Sequence, residues 1–467
     1  MLIAEPLCFI KNYLRKINSA IEVHCPGSRL SRIQQHWLAF CIMAIIVTNS
    51  VCWARFERAS IGKYSLAALS WMFVKSKIPW DLLLQISVTQ IILQYGLIEG
   101  ILAIDETEKK RSKSTQKIFN THKIKDKSSG GYINGQSVVF LVLITKKITI
   151  PVGFSFYMPD PQISAWRKAD KRLRKQGVAK KDRPARPCLN KDYPTKSQIG
   201  LNLLEQFKNA HKQIHIRCIV ADALYGNKQF FKGVSRLFGG IQVISQIRYN
   251  QLVGFKNKKI SVKRFFKRYQ AIKQTIRIRG EQVTVTMASA RVHVHAHGTK
   301  CFVIALKYEG ENEYRYIIAS DLSWRATDIA QAYTLRWLVE VFFQDWKANE
   351  GWGQLTKQQG QEGSNRSLIL SLLADHSLFF HPDQLARIEN KLPAYTVGSL
   401  TEKIKVEGLL RLFEQTILSD SPVEKFKELA KAIEENVIVL NPSKKHMVNR
   451  NLGQFQPSPH LRYKNAA

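Results

Sequence analysis

From residue 99 onward, short apolar runs alternate with amphipathic stretches at helical spacing, and that order admits little besides a layered α/β fold. GILAID reads as a strand ending at Asp105, and SVVFLVLI with ITIPVGFSFYM as two further strands joined through Thr145, Lys146 and Lys147. SQIGLNLLEQFKNAHKQ reads as an amphipathic helix with Ser197 as its N-cap, HIRCIVAD as a strand ending at Asp222, NKQFFKGVSRLF as a helix and IQVISQIR as a strand. Three strands, a helix, a strand, a helix and a strand predict a mixed sheet flanked by helices. Residues 250–321 return to a β-rich texture, as an inserted module does. A long helical pattern then runs from about Thr327 to Asn349, capped by Thr327 or Asp328 and stopped at Gly351.

Both ends of the chain read as helical. Trp37 to Trp53 is the most apolar stretch, but it is short and contains Thr48, Asn49 and Ser50. A bilayer span needs about 20 apolar residues, so a buried core helix is expected and no membrane partner. Helices fill residues 364–438, one of them opening on a capping box from Ser421 to Glu424. The expected division is 1–98 helical, 99–249 and 322–390 the two parts of one α/β domain, 250–321 the insertion, 391–440 helical, and 441–467 a basic flexible tail. Seven cysteines form no CxxC pair, and the N-terminus lacks a signal-peptide pattern, which together suggest reduced thiols in a cytoplasmic protein.

Charge narrows the partner. There are 71 Lys and Arg against 36 Asp and Glu, a net of +35. Residues 108–127, 166–196 and 246–279 together account for 26 of those charges, and the third stretch interleaves Tyr249, Phe255, Phe265, Phe266 and Tyr269 with 11 cations and no acid. Clustered like charge is costly without a polyanion, and aromatics among cations suit phosphates and unpaired bases. Nucleic acid is the expected partner.

In so basic a chain, acids at strand ends stand out. Asp105 and Asp222 each follow an apolar run, and a parallel pair of strands would bring both to one sheet edge, where a divalent cation relieves their repulsion. Each could equally be a turn former. Downstream, in QAYTLRWLVEVFFQDWKANEGWGQ, Tyr333, Arg336, Glu340 and Lys347 fall within about 60° of one another on a continuous helix. The bland reading is an i, i+4 ion pair facing water. His293, His295 and His297 share a strand face but lack a fourth zinc ligand at a known spacing, so an exposed or DNA-facing strand is expected there.

The spacing Tyr-x2-Arg-x3-Glu-x6-Lys resembles the signature of bacterial insertion-sequence transposases with an Asp-Asp-Glu triad, and AIDET and VADALYG resemble that group's catalytic strand ends. The resemblance covers about residues 99–355. It implies a ribonuclease-H-like mixed sheet flanked by helices and interrupted by a β-rich insertion, in which Asp105, Asp222 and Glu340 are catalytic and bind two Mg2+ ions, with Mn2+ as a substitute. It further implies cut-and-paste transposition, by cleavage and then 3'-OH strand transfer from terminal inverted repeats to target DNA. The working form would be a homodimer on paired ends, in a bacterial cytoplasm and on the nucleoid when DNA-bound. Arg336 and Lys347 would contact phosphates, Tyr333 would hydrogen-bond one, Trp337 would pack beside the transposon end, and Trp324 would stack on a flipped base or pack in the core. Glu106, next to Asp105, offers a second carboxylate, but Asp105 fits the family position. The rivals are a structure-selective nuclease on the same fold and a catalytically silent DNA-binding relic.

Overall fold

Five helices precede the sheet: α1 (Cys8–His24), α2 (Arg32–Thr48), α3 (Trp53–Ala59), α4 (Leu66–Lys75) and α5 (Trp80–Gln94). The structure, a computed structural model, describes residues 5–111, 117–126, 128–278, 280–353, 358–437, 443 and 453. A capping box between Ser31 and Gln34 starts α2, and every residue from Trp37 to Val47 is buried. The expected core helix is therefore present. It stops where Asn49 turns left-handed (φ 46°), with the Thr48 hydroxyl donating back to the Ala44 carbonyl at 2.7 Å. No single described helix is long and apolar enough to cross a membrane; α2 and α3 reach that length only as a pair bent by 91°.

The sheet begins with β1 (Glu99–Lys110), β2 (His122–Lys125), β3 (Tyr132–Ile144) and β4 (Thr149–Tyr157). Then come α6 (Pro161–Lys175), α7 (Lys196–Ala210), β5 (His215–Ala221), α8 (Lys228–Phe238) and β6 (Gln242–Gln246). β3 pairs antiparallel with both β1 and β4, whereas β5 runs parallel to β1 and β6 parallel to β5. The expected hairpin closes through Thr145, whose N–H donates to the Ile148 carbonyl at 2.9 Å. The mixed sheet of the sequence reading is thus in place. One cap differs: Thr195, not Ser197, starts α7, because Gln198 can reach back to complete a capping box only with Thr195.

The β-rich stretch supplies β7 (Leu252–Phe255), β8 (Lys258–Ser261), α9 (Val262–Phe266), β9 (Ile272–Ile278), β10 (Glu281–Val294), β11 (Thr299–Tyr308) and β12 (Arg315–Ala319). Its last strand pairs antiparallel with β6, so these strands and the earlier ones form one hydrogen-bonded sheet in the order β2-β3-β1-β5-β6-β12-β11-β10-β7-β8, with β4 on β3 and β9 on β10. The chain continues as α10 (Ala326–Thr334), α11 (Trp337–Asn349), α12 (Gly360–Leu378), α13 (Pro382–Glu389), α14 (Val397–Ile417) and α15 (Pro422–Asn436). Ser421 stands at the N-cap of α15 but makes no side-chain cap bond, and Arg325 rather than Thr327 or Asp328 precedes α10. The tail from 441 lies almost wholly outside the described residues.

Polar chemistry ties the terminal helices to the sheet. The buried Tyr13 hydroxyl lies 2.6 Å from Ser87, Ser87 lies 2.7 Å from Nδ1 of His376, and Nε2 of His376 lies 2.9 Å from the Pro151 carbonyl on β4. Burial pulls His376 down to about 4, so the ring is neutral and fits a chain of neutral partners.

Beyond α11, Gly351 takes φ +88°, and a Cβ there would lie 3.3 Å from the Ser50 backbone. Next to this turn, Glu350 is fully buried beside Asp375 of α12, and among the described residues its oxygens meet no hydrogen-bonding group other than the Asp375 carboxyl. Burial, reinforced by Asp375, pushes the Glu350 carboxyl well above the ordinary carboxylate range, and burial lifts Asp375 as well. A raised folded-state pKa gives stability that is complete below the unfolded value near 4.3 and is lost as pH rises above it. Glu350→Gln mimics the neutral acid and removes that loss. Its melting temperature should therefore match the parent near pH 4 and exceed it by a few degrees at pH 8. Calorimetry at the two pH values checks this, and a gap that does not widen with pH would refute a neutral Glu350.

Candidate active site

The parallel ladder between β1 and β5 ends at the pair Ile104 and Ala221. The next residue on each chain is an acid, so Asp105 and Asp222 project from neighbouring strands whose backbones lie about 4.8 Å apart. β1 does not end there. It continues to Lys110 because β3 still pairs with it, matching Asp105 to Phe140 and Lys110 to Gly135. Asp105 therefore marks the end of the parallel ladder and not of the strand. Asp222 leads into a short 3₁₀ turn at Ala223–Tyr225 without capping it, so its carboxylate is not spent on the turn.

The expected continuous helix is broken. Leu335 and Arg336 separate α10 from α11, and tight i to i+3 bonds bridge the gap: Leu335 N–H to Ala332 at 3.2 Å, Arg336 to Tyr333 at 3.1 Å and Leu338 to Leu335 at 3.0 Å. Such 3₁₀ geometry overtwists the chain and re-aims the side chains that follow. Arg336 consequently points its fork at two acids, Nη1 donating to Asp105 Oδ2 at 2.6 Å and Nη2 to Glu340 Oε1 at 2.7 Å. The i, i+4 pair exists, but it faces a cleft. Burial raises the Asp105 carboxyl to about 7, Arg336 works against that rise, and Asp222 adds to it.

Asp105, Asp222, Glu340, Arg336 and Lys347 line this single cleft of about 780 Å³. Lys347 holds its ammonium 5.7 Å from the centre of the Phe343 ring. Tyr333 is placed differently from its expected role. It is buried and outside the cleft lining, the Arg336 guanidinium lies 5.9 Å from its ring centre, and burial pushes its hydroxyl up to about 12. Trp337 is 42% exposed but is not part of the cleft lining. Trp324 lies beside Glu99, at the opposite end of β1 and about 20 Å of strand away from Asp105, and packs against the core there.

The neighbouring carboxylate also lines the cleft, but it already has partners. Glu106 pairs with Lys196 at 2.9 Å and accepts from the Tyr225 hydroxyl at 3.2 Å. The sequence reading missed Asp126, which joins the cleft rim and pairs with Lys110 at 2.5 Å. Its place in the run DKSSGG signalled a turn, not a site. His297 is buried with a ring nitrogen 3.2 Å from the Gly226 carbonyl, apart from the face of His293 and His295.

Three carboxylates make a hard-oxygen donor set of the kind that suits Mg2+ or Mn2+. Among the described residues, however, no three His, Cys, Asp or Glu side chains are gathered tightly enough to hold an ion as they stand. In the cleft, the Arg336 guanidinium bridges two of the acids. The donor chemistry fits a divalent ion.

Residues 69–264 match a family model described as DDE superfamily endonuclease, a range that includes Asp105 and Asp222 and ends before Glu340. Among solved structures, a piggyBac transposase synaptic complex with hairpin DNA is similar over 96% of this chain and 88% of that chain, at 12% identity and a TM-score of 0.42. The NurA nuclease from Sulfolobus solfataricus is similar over 51% of this chain and 72% of its own, at 7% identity and a TM-score of 0.21. A Drosophila P element transposase strand transfer complex is similar over 91% of this chain and 97% of its own, at 11% identity and a TM-score of 0.16. No curated protein matches the chain.

Proposed function

Taking the DDE superfamily endonuclease match over residues 69–264 as the premise, we propose that this protein is a DNA transposase with a ribonuclease-H-like catalytic core. The observation that carries the reading is the convergence of Asp105, Asp222 and Glu340 on one cleft in a strongly basic protein. The strand order β4-β3-β1-β5-β6, antiparallel on one side of β1 and parallel on the other, supports the core assignment. In this reading, residues 1–98 are a DNA-binding region, 250–321 an insertion in the core, and 391–440 a helical appendage. The protein acts in a bacterial cytoplasm as a homodimer on paired ends.

Asp105, Asp222 and Glu340 would hold two Mg2+ ions, or Mn2+ in their place. Bound there, divalent ions supply Lewis acidity toward the attacking and leaving oxygens of an in-line phosphoryl transfer. The chain's own groups do the rest. The carboxylates concentrate negative charge at the end of the parallel ladder, and no side chain is needed as a covalent nucleophile. Arg336, once released from Asp105 and Glu340, and Lys347 neutralise backbone phosphates. Tyr333 packs beside the guanidinium, in place of the direct phosphate contact expected from the sequence. One site can then nick a strand with water and afterwards join the freed 3'-OH to target DNA by a cut-and-paste route.

The test is incubation of purified protein with Mg2+, a target plasmid and duplexes carrying the flanking terminal inverted repeats with a free 3'-OH. Covalent joining of end to target is expected. Cleavage without joining would favour a nuclease, and binding with neither reaction would leave a silent DNA-binding protein.

A further inference from the structure

Between β4 and α7 the chain builds an arm that the sheet does not need. α6 is started by Asp160, whose carboxylate accepts from the N–H groups of Gln162 at 2.8 Å and Ile163 at 3.3 Å, and the helix buries only Ile163. Ile163, Trp166, Asp170 and Leu173 share one side at helical spacing. The returning chain is fastened to that side twice: Trp166 donates its indole N–H to the Pro184 carbonyl at 2.8 Å, and Arg183 pairs with Asp170 at 2.7 Å. Around the rest of the helix, Arg167, Lys168, Lys171, Arg172, Arg174 and Lys175 are all exposed. Residues 166–196 carry 12 cations against 3 acids.

The arm is rooted beside the candidate active site. Ser137 of β3 pairs with Glu108 on one side and Tyr157 on the other, so β4 ends level with a position three residues past Asp105. The arm returns at Lys196, whose ammonium pairs with Glu106 at 2.9 Å and sits 5.2 Å from the centre of the Tyr157 ring. The arm therefore leaves from β4, which β3 separates from β1, and returns to β1 itself at Glu106, the residue after Asp105. An ordered segment with one buried apolar residue and an uncompensated cationic face is costly in entropy and in self-repulsion, and a bound polyanion offsets the second cost.

We infer that this arm is a clamp for the phosphate backbone of the target duplex, B-form DNA of arbitrary sequence. The inference rests on the strand-transfer reading above. Cations on a helix face contact phosphates, and such contacts position DNA without reading its sequence. A target partner needs that tolerance, whereas terminal repeats need base readout. α6 rises about 22 Å, the length of roughly six base pairs, so its cationic face can follow several phosphates at once.

The experiment uses the full chain in EDTA, so that no cleavage intervenes, and follows anisotropy of a labelled random-sequence duplex across a salt series. The variant replaces Arg167, Lys168, Lys171, Arg174 and Lys175 together with Gln. It should bind at least about tenfold more weakly at 0.1 M salt, and the slope of log K against log salt should shrink by about three to four. A companion with K168R, K171R and K175R keeps the charge and should keep the parental slope, which separates lost charge from a damaged arm. An unchanged slope in the Gln variant overturns the clamp, as does a loss confined to duplexes carrying terminal repeats. Because binding is read without chemistry, failure of the joining assay with a shifted slope would remove the transposase reading and leave the arm as a DNA contact.

Discussion

Asp222→Asn should lower DNA cleavage by at least about 10³-fold while leaving duplex affinity within about twofold. The substitution keeps the shape of the side chain and discards the charge on which a divalent ion depends. Asp222 makes no cap bond to the turn after β5, so the backbone loses nothing by the change. That separates this acid from an ordinary turn former, whose replacement would act through stability. Single-turnover cleavage of an end-bearing duplex, with anisotropy for binding and calorimetry for folding, reads all three quantities. Cleavage at the parental rate would remove Asp222 from the site.

Arg336→Gln should move two measurements in opposite directions. The guanidinium bridges Asp105 and Glu340 at 2.6 and 2.7 Å, where an incoming cation must compete with it. A unit charge about 4 Å away is worth about 4 kcal/mol at the effective dielectric of a protein surface, and relaxation cancels much of that. About tenfold tighter Mn2+ binding is the expected remainder, read by electron paramagnetic resonance across a pH series that extends above 8, because loss of Arg336 lifts Asp105 above its parental value of about 7. Cleavage should nevertheless fall by about 10²-fold, because the cation that neutralises a backbone phosphate is gone. Weaker Mn2+ binding in the variant would mean that Arg336 positions the acids and does not compete for them.

The elements that could be read from the sequence were those fixed by local pattern. Asp105 and Asp222 were identifiable because each closes an apolar run, and the parallel ladder then brings them together without further instruction. α2 was identifiable because its apolar stretch carries Thr48, Asn49 and Ser50 where the helix stops. Features set by distant neighbours were not. The extension of β1 past Asp105 depends on β3, which pairs with it from 25 residues or more downstream. The break between α10 and α11 leaves no Pro or Gly behind, since Leu335 and Arg336 both keep right-handed helical angles, so periodicity alone suggests one helix. The burial of Glu350 against Asp375 joins residues 25 apart on different helices, and an acid in a polar-looking turn gives no hint of it. Trp324 was ambiguous for the same reason: an aromatic in a connecting segment suits a base or a core equally until the fold places it.

The pairing of β12 with β6 also sets a timetable. On the ribosome, both strand acids emerge early, yet Glu340 follows Asp222 by 118 positions, because the whole of the β7 to β12 excursion must be translated between them. A nascent chain cut short between about residues 280 and 335 carries two of the three carboxylates and all three cationic stretches, but neither Arg336 nor Glu340. If the proposed function holds, shortened translation products of that length would occupy DNA without cutting it, and act as competitors of the finished protein.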